Sequence, residues 1–202
     1  MASSIAFIDH YDSFSFNVID WLVGVRNNVA IKHINYDDLD SIENLRRSPL
    51  PIVLSPGPHS PAAYPSTKRL VADLMGRVPM FGICLGHQII AEVLGAGIER
   101  CGNPLHGQPR TIQVVSEGRL LRGMPASFRA MSYNSLTVAP ESAKAAGLKI
   151  TGICDQGEMQ SMEYDSGGRF KTFGVQFHPE SFKSEYQDIL LQNWLDEIKV
   201  LQ

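Results

Sequence analysis

Gly82-Ile83-Cys84-Leu85-Gly86-His87-Gln88 places one cysteine between glycines two residues away on either side. The apolar run before it, Val78-Pro79-Met80-Phe81, predicts a buried strand. Ile89-Ile90-Ala91-Glu92-Val93-Leu94-Gly95 predicts a helix closed by glycine at its C-cap. A sharp strand-to-helix turn needs small flanking residues, because its backbone is crowded and its apical side chain is pushed outward. The N-terminus of the following helix favours negative charge on the sulfur. This is the pattern of a nucleophile elbow that carries a thiol. The competing reading is a buried, inert cysteine in a glycine-rich turn, and a base elsewhere in the chain decides between the two.

Gly174-Val175-Gln176-Phe177-His178-Pro179-Glu180-Ser181 supplies that base. Histidine suits a cysteine because its ordinary pKa lies near neutrality. A carboxylate two residues on can reach the far ring nitrogen, fix the tautomer and stabilise the imidazolium, and Pro179 stiffens the link. Cys84, His178 and Glu180 therefore form a candidate nucleophile, base and orienter. Ser55-Pro56-Gly57-Pro58-His59-Ser60-Pro61 is a rigid proline-flanked loop. Beside Cys84, such a loop holds the N–H of Gly57 as one oxyanion donor, the second being the N–H of Leu85.

The elements that must position these residues alternate in the α/β manner. Ile5-Ala6-Phe7-Ile8 is a short buried strand, ended by Asp9-His10-Tyr11-Asp12. Ser13 caps a helix with Phe14, Val18, Trp21, Leu22 and Val25 on one face. Strands follow at Val29 to Ile34 and Pro51 to Leu54, with an acidic helical segment from Asp38 to Leu45 between them. Such alternation predicts a parallel sheet covered on both faces, with active sites at the carboxyl ends of its strands. The loops Asp9–Ser13, Ser55–Pro61 and Cys84–Gln88 should then open on one edge. Beyond residue 96 strands are expected at Arg110 to Val115, Phe128 to Tyr133, Lys149 to Cys154, Glu158 to Tyr164 and Phe170 to Gln176. Ser166-Gly167-Gly168 joins the last two, and the group forms an antiparallel extension or a second small sheet. Ser184 to Leu201 reads as a packing helix carrying Ile189, Leu190, Trp194, Leu195 and Ile198.

Composition narrows the class. The 202 residues suit one domain, 1–202, with 44% hydrophobic and 19% charged residues, ordinary values for a globular protein. A net charge of −3 gives no basic field for nucleic acid and no attraction to a membrane surface. No apolar run approaches the roughly 20 residues of a membrane span, and the N-terminus lacks the pattern of a signal peptide. Cys84, Cys101 and Cys154 show no metal-type spacing, and scattered unpaired thiols suit a cytoplasmic setting.

The elbow and the His178-Pro179-Glu180 run together resemble the class I, triad-type glutamine amidotransferases. The histidine of Leu85-Gly86-His87-Gln88, with Ile8-Asp9-His10-Tyr11-Asp12-Ser13-Phe14, is similar to the glutaminase subunits of anthranilate synthase and aminodeoxychorismate synthase. The likeness runs from about Ile5 to Leu195. It implies a flavodoxin-like fold, with a mostly parallel central sheet flanked by helices and a small additional antiparallel sheet. It also implies hydrolysis of L-glutamine through a cysteine thioester, with Cys84, His178 and Glu180 as the triad and Gly57 and Leu85 at the oxyanion. Glutamine would be held by Gly57, Gln88, Ser135 and Leu136. Ammonia would pass to a chorismate-utilising synthase, component I, in a hetero-oligomer. No metal or organic cofactor is implied on this chain; Mg²⁺ is expected only on the partner.

Departures from the family pattern concern the subtype. The usual Arg-Tyr-His-Ser-Leu stands here as Ser132-Tyr133-Asn134-Ser135-Leu136, and the usual His-Gly-Lys as His106-Gly107-Gln108. His59 takes the place of a common second glycine after Pro-Gly-Pro, and Glu185-Tyr186-Gln187 the place of Glu-His-Gly. These imply a divergent partner surface. Two other readings compete: a glutaminase subunit serving a secondary-metabolite chorismate-aminating enzyme, and a stand-alone γ-glutamyl hydrolase on the same fold.

Overall fold

The computed structural model describes residues 3–24 and 29–199. The chain opens with β1 (Ser3–Asp9), α1 (Ser15–Gly24), β2 (Val29–Asn35), α2 (Leu39–Arg47) and β3 (Ile52–Leu54). A 3₁₀ turn (Pro61–Ala63), α3 (Pro65–Leu74), β4 (Met80–Ile83) and α4 (Leu85–Val93) follow. Next come β5 (Ile98–Arg100), β6 (Gln108–Val114), β7 (Ser127–Ser132), β8 (Leu136–Val138) and α5 (Pro140–Ala145). The chain then forms β9 (Lys149–Cys154), β10 (Met159–Tyr164), β11 (Thr172–Val175) and α6 (Gln187–Lys199). Val25 and the expected helix end at Leu201 lie outside the described residues.

Among the described residues one sheet runs in the order β2-β1-β3-β4-β11-β10-β9-β6-β7. Its first five strands are parallel, and the last four continue it in antiparallel fashion. A separate antiparallel pair joins β5 to β8. The expected group of strands thus forms the extension, and the small additional sheet is built by β5 and β8, which lie outside the expected strands.

Alternation along the strands divides the core. Ile5 and Phe7 of β1 point toward α1 and α6, meeting Val18, Trp21, Leu22 and Trp194. Ala6 and Ile8 point to the other face, toward Ile42 of α2, Leu70 of α3 and Ile89 of α4. Trp194 is fully buried with its ring centroid 5.7 Å from that of Phe81, so it is a core residue as its helical spacing predicts.

The insertion of β11 beside β4 matters most for the site. These strands lie about 90 residues apart in sequence yet pair in parallel, with Val175 opposite Ile83. Cys84 and Gln176 therefore leave the sheet side by side.

Local chemistry departs from expectation in two places. Ser13 does not cap α1: the helix begins at Ser15, and Asp12 Oδ1 accepts the Phe14 N–H at 2.8 Å. An aspartate two residues upstream reaches that donor in an Asx turn just before the helix. The helices α3 and α5 lie outside the expected elements; each carries proline in its first turn, where the missing N–H costs nothing.

Candidate active site

Cys84 sits at the elbow with φ 51° and ψ −100°, a backbone conformation that side-chain-bearing residues rarely adopt. Its N–H donates to the Val175 carbonyl at 2.8 Å and its carbonyl accepts the Gln88 N–H at 3.2 Å, so strand and helix hold the apex from both sides. The flanking glycines are required by space. A Cβ on Gly82 would lie 2.4 Å from the Gly86 backbone, and one on Gly86 would lie 2.5 Å from the Leu54 carbonyl oxygen. At the far end Gly95 has φ 93°, with Gly95 N–H on Glu92 O and Ala96 N–H on Ala91 O, both at 3.0 Å. That pair of bonds is a Schellman closure, as the glycine predicts.

His178 is placed by the backbone before its ring is considered. Its N–H donates to Met131 O at 2.9 Å and its carbonyl accepts the Ser184 hydroxyl at 2.6 Å. Nδ1 lies 2.7 Å from Glu180 Oε1, and both side chains are almost fully buried. Tyr133 stands edge-on to the imidazole at 4.8 Å and Phe14 at 6.0 Å, screening it from water. Nε2 has no hydrogen-bond partner of normal geometry within the protein and is the nitrogen left for Cys84. Burial alone would push the imidazole toward its neutral form. The negative charges of Glu180 and Cys84 overcome that penalty and hold its pKa well above the ordinary histidine value. His178 therefore favours its protonated form.

Gly57, Cys84, Leu85, Gln88, Ser135 and Leu136 line one cavity of about 190 Å³. At about 30 Å³ per liquid water molecule that is the room of about six waters, the scale of a small amino acid. Gly57 has no alternative at its position, since a Cβ there would lie 2.5 Å from Leu85 Cδ2 and 2.7 Å from His10 Cβ. His59 on the cavity wall takes φ 66°, the left-handed conformation that glycine adopts without cost. The Gln88 carboxamide nitrogen is engaged twice within the protein, by Leu136 O and by Gln176 Oε1, each at 3.0 Å. Asn134 Nδ2 also donates to Leu136 O at 3.0 Å, so this departure from the family pattern supports the cavity wall. Gln108 is exposed at the start of β6, and Ser132 is buried with an unpartnered hydroxyl.

The three expected loops do meet. His10, from the first, lies under Gly57 of the second, with Nδ1 3.0 Å from Ser55 Oγ and Nε2 3.2 Å from Thr67 Oγ1. Burial lowers its pKa to about 4, against the opposing charge of Asp9, so it is a neutral structural imidazole. His87, on α4, is likewise neutral: burial lowers its pKa to about 3, and its Nδ1 faces the Gly174 backbone. Sequence reasoning did not single out Gln176, whose Nε2 donates to Cys84 Sγ at 3.5 Å, nor the rings of Tyr133 and Phe14 on His178. For Gln176 no local signal exists: it lies in a bend before His178, and only the pairing of β11 with β4 brings it to the Cys84 sulfur. Among the described residues no three His, Cys, Asp or Glu side chains group to hold a metal ion, and no helix is long and apolar enough to cross a membrane.

Residues 6–198 match the family model described as glutamine amidotransferase class-I. The chain belongs to that family. This amidotransferase is 34% identical over 197 residues to the anthranilate synthase component 2 of Azospirillum brasilense, covering 96% of each chain. It is 33% identical over 191 residues to the aminodeoxychorismate synthase component 2 of Escherichia coli, covering 95% of this chain and 98% of the relative. A solved structure of a glutamine amidotransferase from Thermotoga maritima superposes with a TM-score of 0.69 at 20% identity, covering 100% of this chain and 94% of the other, which shows a common fold.

Proposed function

We propose that this amidotransferase is the glutaminase subunit of a chorismate-aminating synthase, forming anthranilate or 4-amino-4-deoxychorismate with a component I partner. The chain, 1–202, would act as one domain in the cytoplasm, with L-glutamine as substrate and no cofactor of its own. Full-length relatives named as component 2 of both synthases support this over a stand-alone hydrolase. The observation that carries the reaction is Cys84 at the wall of a cavity that admits a small amino acid, with His178 behind it and Glu180 on His178 Nδ1.

In this mechanism Cys84 Sγ attacks the γ-carbonyl carbon of glutamine as the thiolate. The carbonyl electrons move to oxygen, where the N–H groups of Gly57 and Leu85 stabilise the charge. As the intermediate collapses, His178 gives its proton to the departing nitrogen and ammonia leaves, with Glu180 holding the ring in register. Water, deprotonated by His178, then cleaves the γ-glutamyl thioester. Ser135, Leu136 and Gln88 form the substrate wall. The test is co-purification with the partner, followed by product identification from chorismate and glutamine. Cys84→Ser should abolish glutamine-dependent product while leaving amination from free ammonium salts; unchanged glutamine turnover would overturn the assignment.

A further inference from the structure

The mechanism above leaves one buried group in contact with the reacting sulfur without a role. Gln176 is fully buried, and its Nε2 lies 3.5 Å from Cys84 Sγ as a donor. Its Oε1 accepts from Gln88 Nε2 at 3.0 Å, which fixes the orientation of the amide: the oxygen faces Gln88, so nitrogen faces sulfur. Its backbone N–H is tied to Gln160 O at 2.9 Å. The side chain is therefore held at both ends. Gln88 Nε2 also holds Leu136 O at 3.0 Å, so a continuous chain runs from the cavity wall through two carboxamides to the nucleophile.

We infer that Gln176 is a further catalytic residue, a fixed neutral donor to the sulfur of Cys84 that stabilises the thiolate and is oriented by Gln88. The inference rests on Cys84 being the nucleophile. A carboxamide cannot take the proton from His178, so it adds stabilisation without competing for the proton that the leaving ammonia needs. A hydrogen bond to a charged acceptor is about twice as strong as a neutral one, and in a dry site it is not exchanged with water. The donor acts at both ends of the cycle. It holds the thiolate before the S–C bond forms, and it donates again to the sulfur when water cleaves the thioester and the bonding electron pair returns to sulfur.

The test is alkylation of Cys84 by iodoacetamide as a function of pH, which needs neither glutamine nor an oxyanion. His178 with Glu180 and Asp12 beside it, and His59 and Tyr133 on the cavity wall, bear on the sulfur equally in wild type and variant. Gln176→Met keeps the volume and removes the donor. A hydrogen bond to a charged group corresponds to a midpoint rise of about 1 unit or more, and to a fall in kcat of about 10- to 100-fold with KM for glutamine little changed. Gln176→Glu keeps the acceptor for Gln88 and sets a carboxylate against the sulfur, so its midpoint should rise further; it also serves if the Met variant does not fold. The midpoint decides: a soluble variant with the wild-type midpoint overturns the inference. Absence of glutamine turnover in the wild-type complex would instead overturn the proposed function, leaving the alkylation result to judge Gln176.

Discussion

The backbone N–H of Cys84 and the carbonyl of Val175 share a 2.8 Å hydrogen bond that ties the elbow to the strand leading to His178. Cys84 and His178, the proposed nucleophile and base, are thereby fixed to neighbouring parallel strands, and their relative position depends on how closely α4 can approach β3 and β4. Gly86 sets that approach. Its missing Cβ would lie 2.5 Å from Leu54 O, a backbone atom that cannot turn aside. Gly86→Ala should lower stability by about 1–3 kcal/mol, as overpacking does, and should cut glutamine turnover more than it cuts secondary structure. Urea denaturation with parallel activity assays checks this. Full activity in Gly86→Ala would mean that the elbow tolerates displacement.

Much of this arrangement was legible in the chain. Cys84, Gly82, Gly86 and Gly95 announce a turn that only a strand-to-helix elbow needs, and each glycine proves to be sterically or conformationally required. His178 and Glu180 are two residues apart, so local geometry suffices to join them. What sequence could not give was strand order. Nothing in Thr172–Val175 says that it pairs with Met80–Ile83, because parallel pairing between distant segments is decided by the whole packed sheet. Gln176 was missed for that reason, since its partner is defined only once the strands are adjacent. Ser13 was misread as the cap of α1 because the Asx turn of Asp12 occupies residues 12–14 and the helix starts only at Ser15.

The three cysteines should react very differently. Cys101 is buried, and its Sγ donates to Glu158 Oε1 at 3.0 Å; burial first, and then the Glu158 carboxylate, push its pKa up to about 11. Cys154 is buried against the Arg110 guanidinium. The native chain at pH 7.5 should therefore take up one equivalent of iodoacetamide, mapped by peptide mass to Cys84, and three after unfolding. Preferential labelling of Cys101 would remove the basis for the elbow assignment.

His10 should govern the loop that presents Gly57. Its Nδ1 bonds Ser55 and its Nε2 bonds Thr67, and its Cβ, with Leu85 Cδ2, leaves no room for a side chain at Gly57. His10→Leu keeps the bulk and loses both ring bonds; Ser55 Oγ keeps the His10 N–H and the Pro56 carbonyl, so the cost is about 1–3 kcal/mol for Thr67 Oγ1 left unpaired. Loosening one oxyanion donor should lower kcat by about tenfold or more, with KM changed little. Iodoacetamide alkylation of Cys84, a displacement at saturated carbon, should stay near the wild-type rate. Equal losses in both reactions would point to general unfolding of the site instead.

Acid sensitivity should follow the two buried neutral histidines. His10 and His87 have pKa values lowered to about 4 and about 3, chiefly by burial, whereas the unfolded chain titrates near 6.5. Below pH 6.5 the unfolded chain binds protons that the folded chain refuses. Stability is therefore present above pH 6.5 and lost as pH falls toward the folded values. His178 has the opposite sign. Its folded pKa is raised, so its contribution is complete below 6.5 and is lost only as pH rises through that higher value. By pH 5 each of the two buried histidines should have cost about 2 kcal/mol, together a large part of a typical domain's stability. His87→Met separates them: the volume is similar, and neither ring nitrogen has a hydrogen bond of normal geometry to lose, only the approach of Nδ1 to the Gly174 backbone. Urea unfolding at pH 7.5 and 5 should show the variant losing about 2 kcal/mol less than the wild type, since the contribution of His178 is common to both. Equal losses would show that His87 takes up its proton in the folded state.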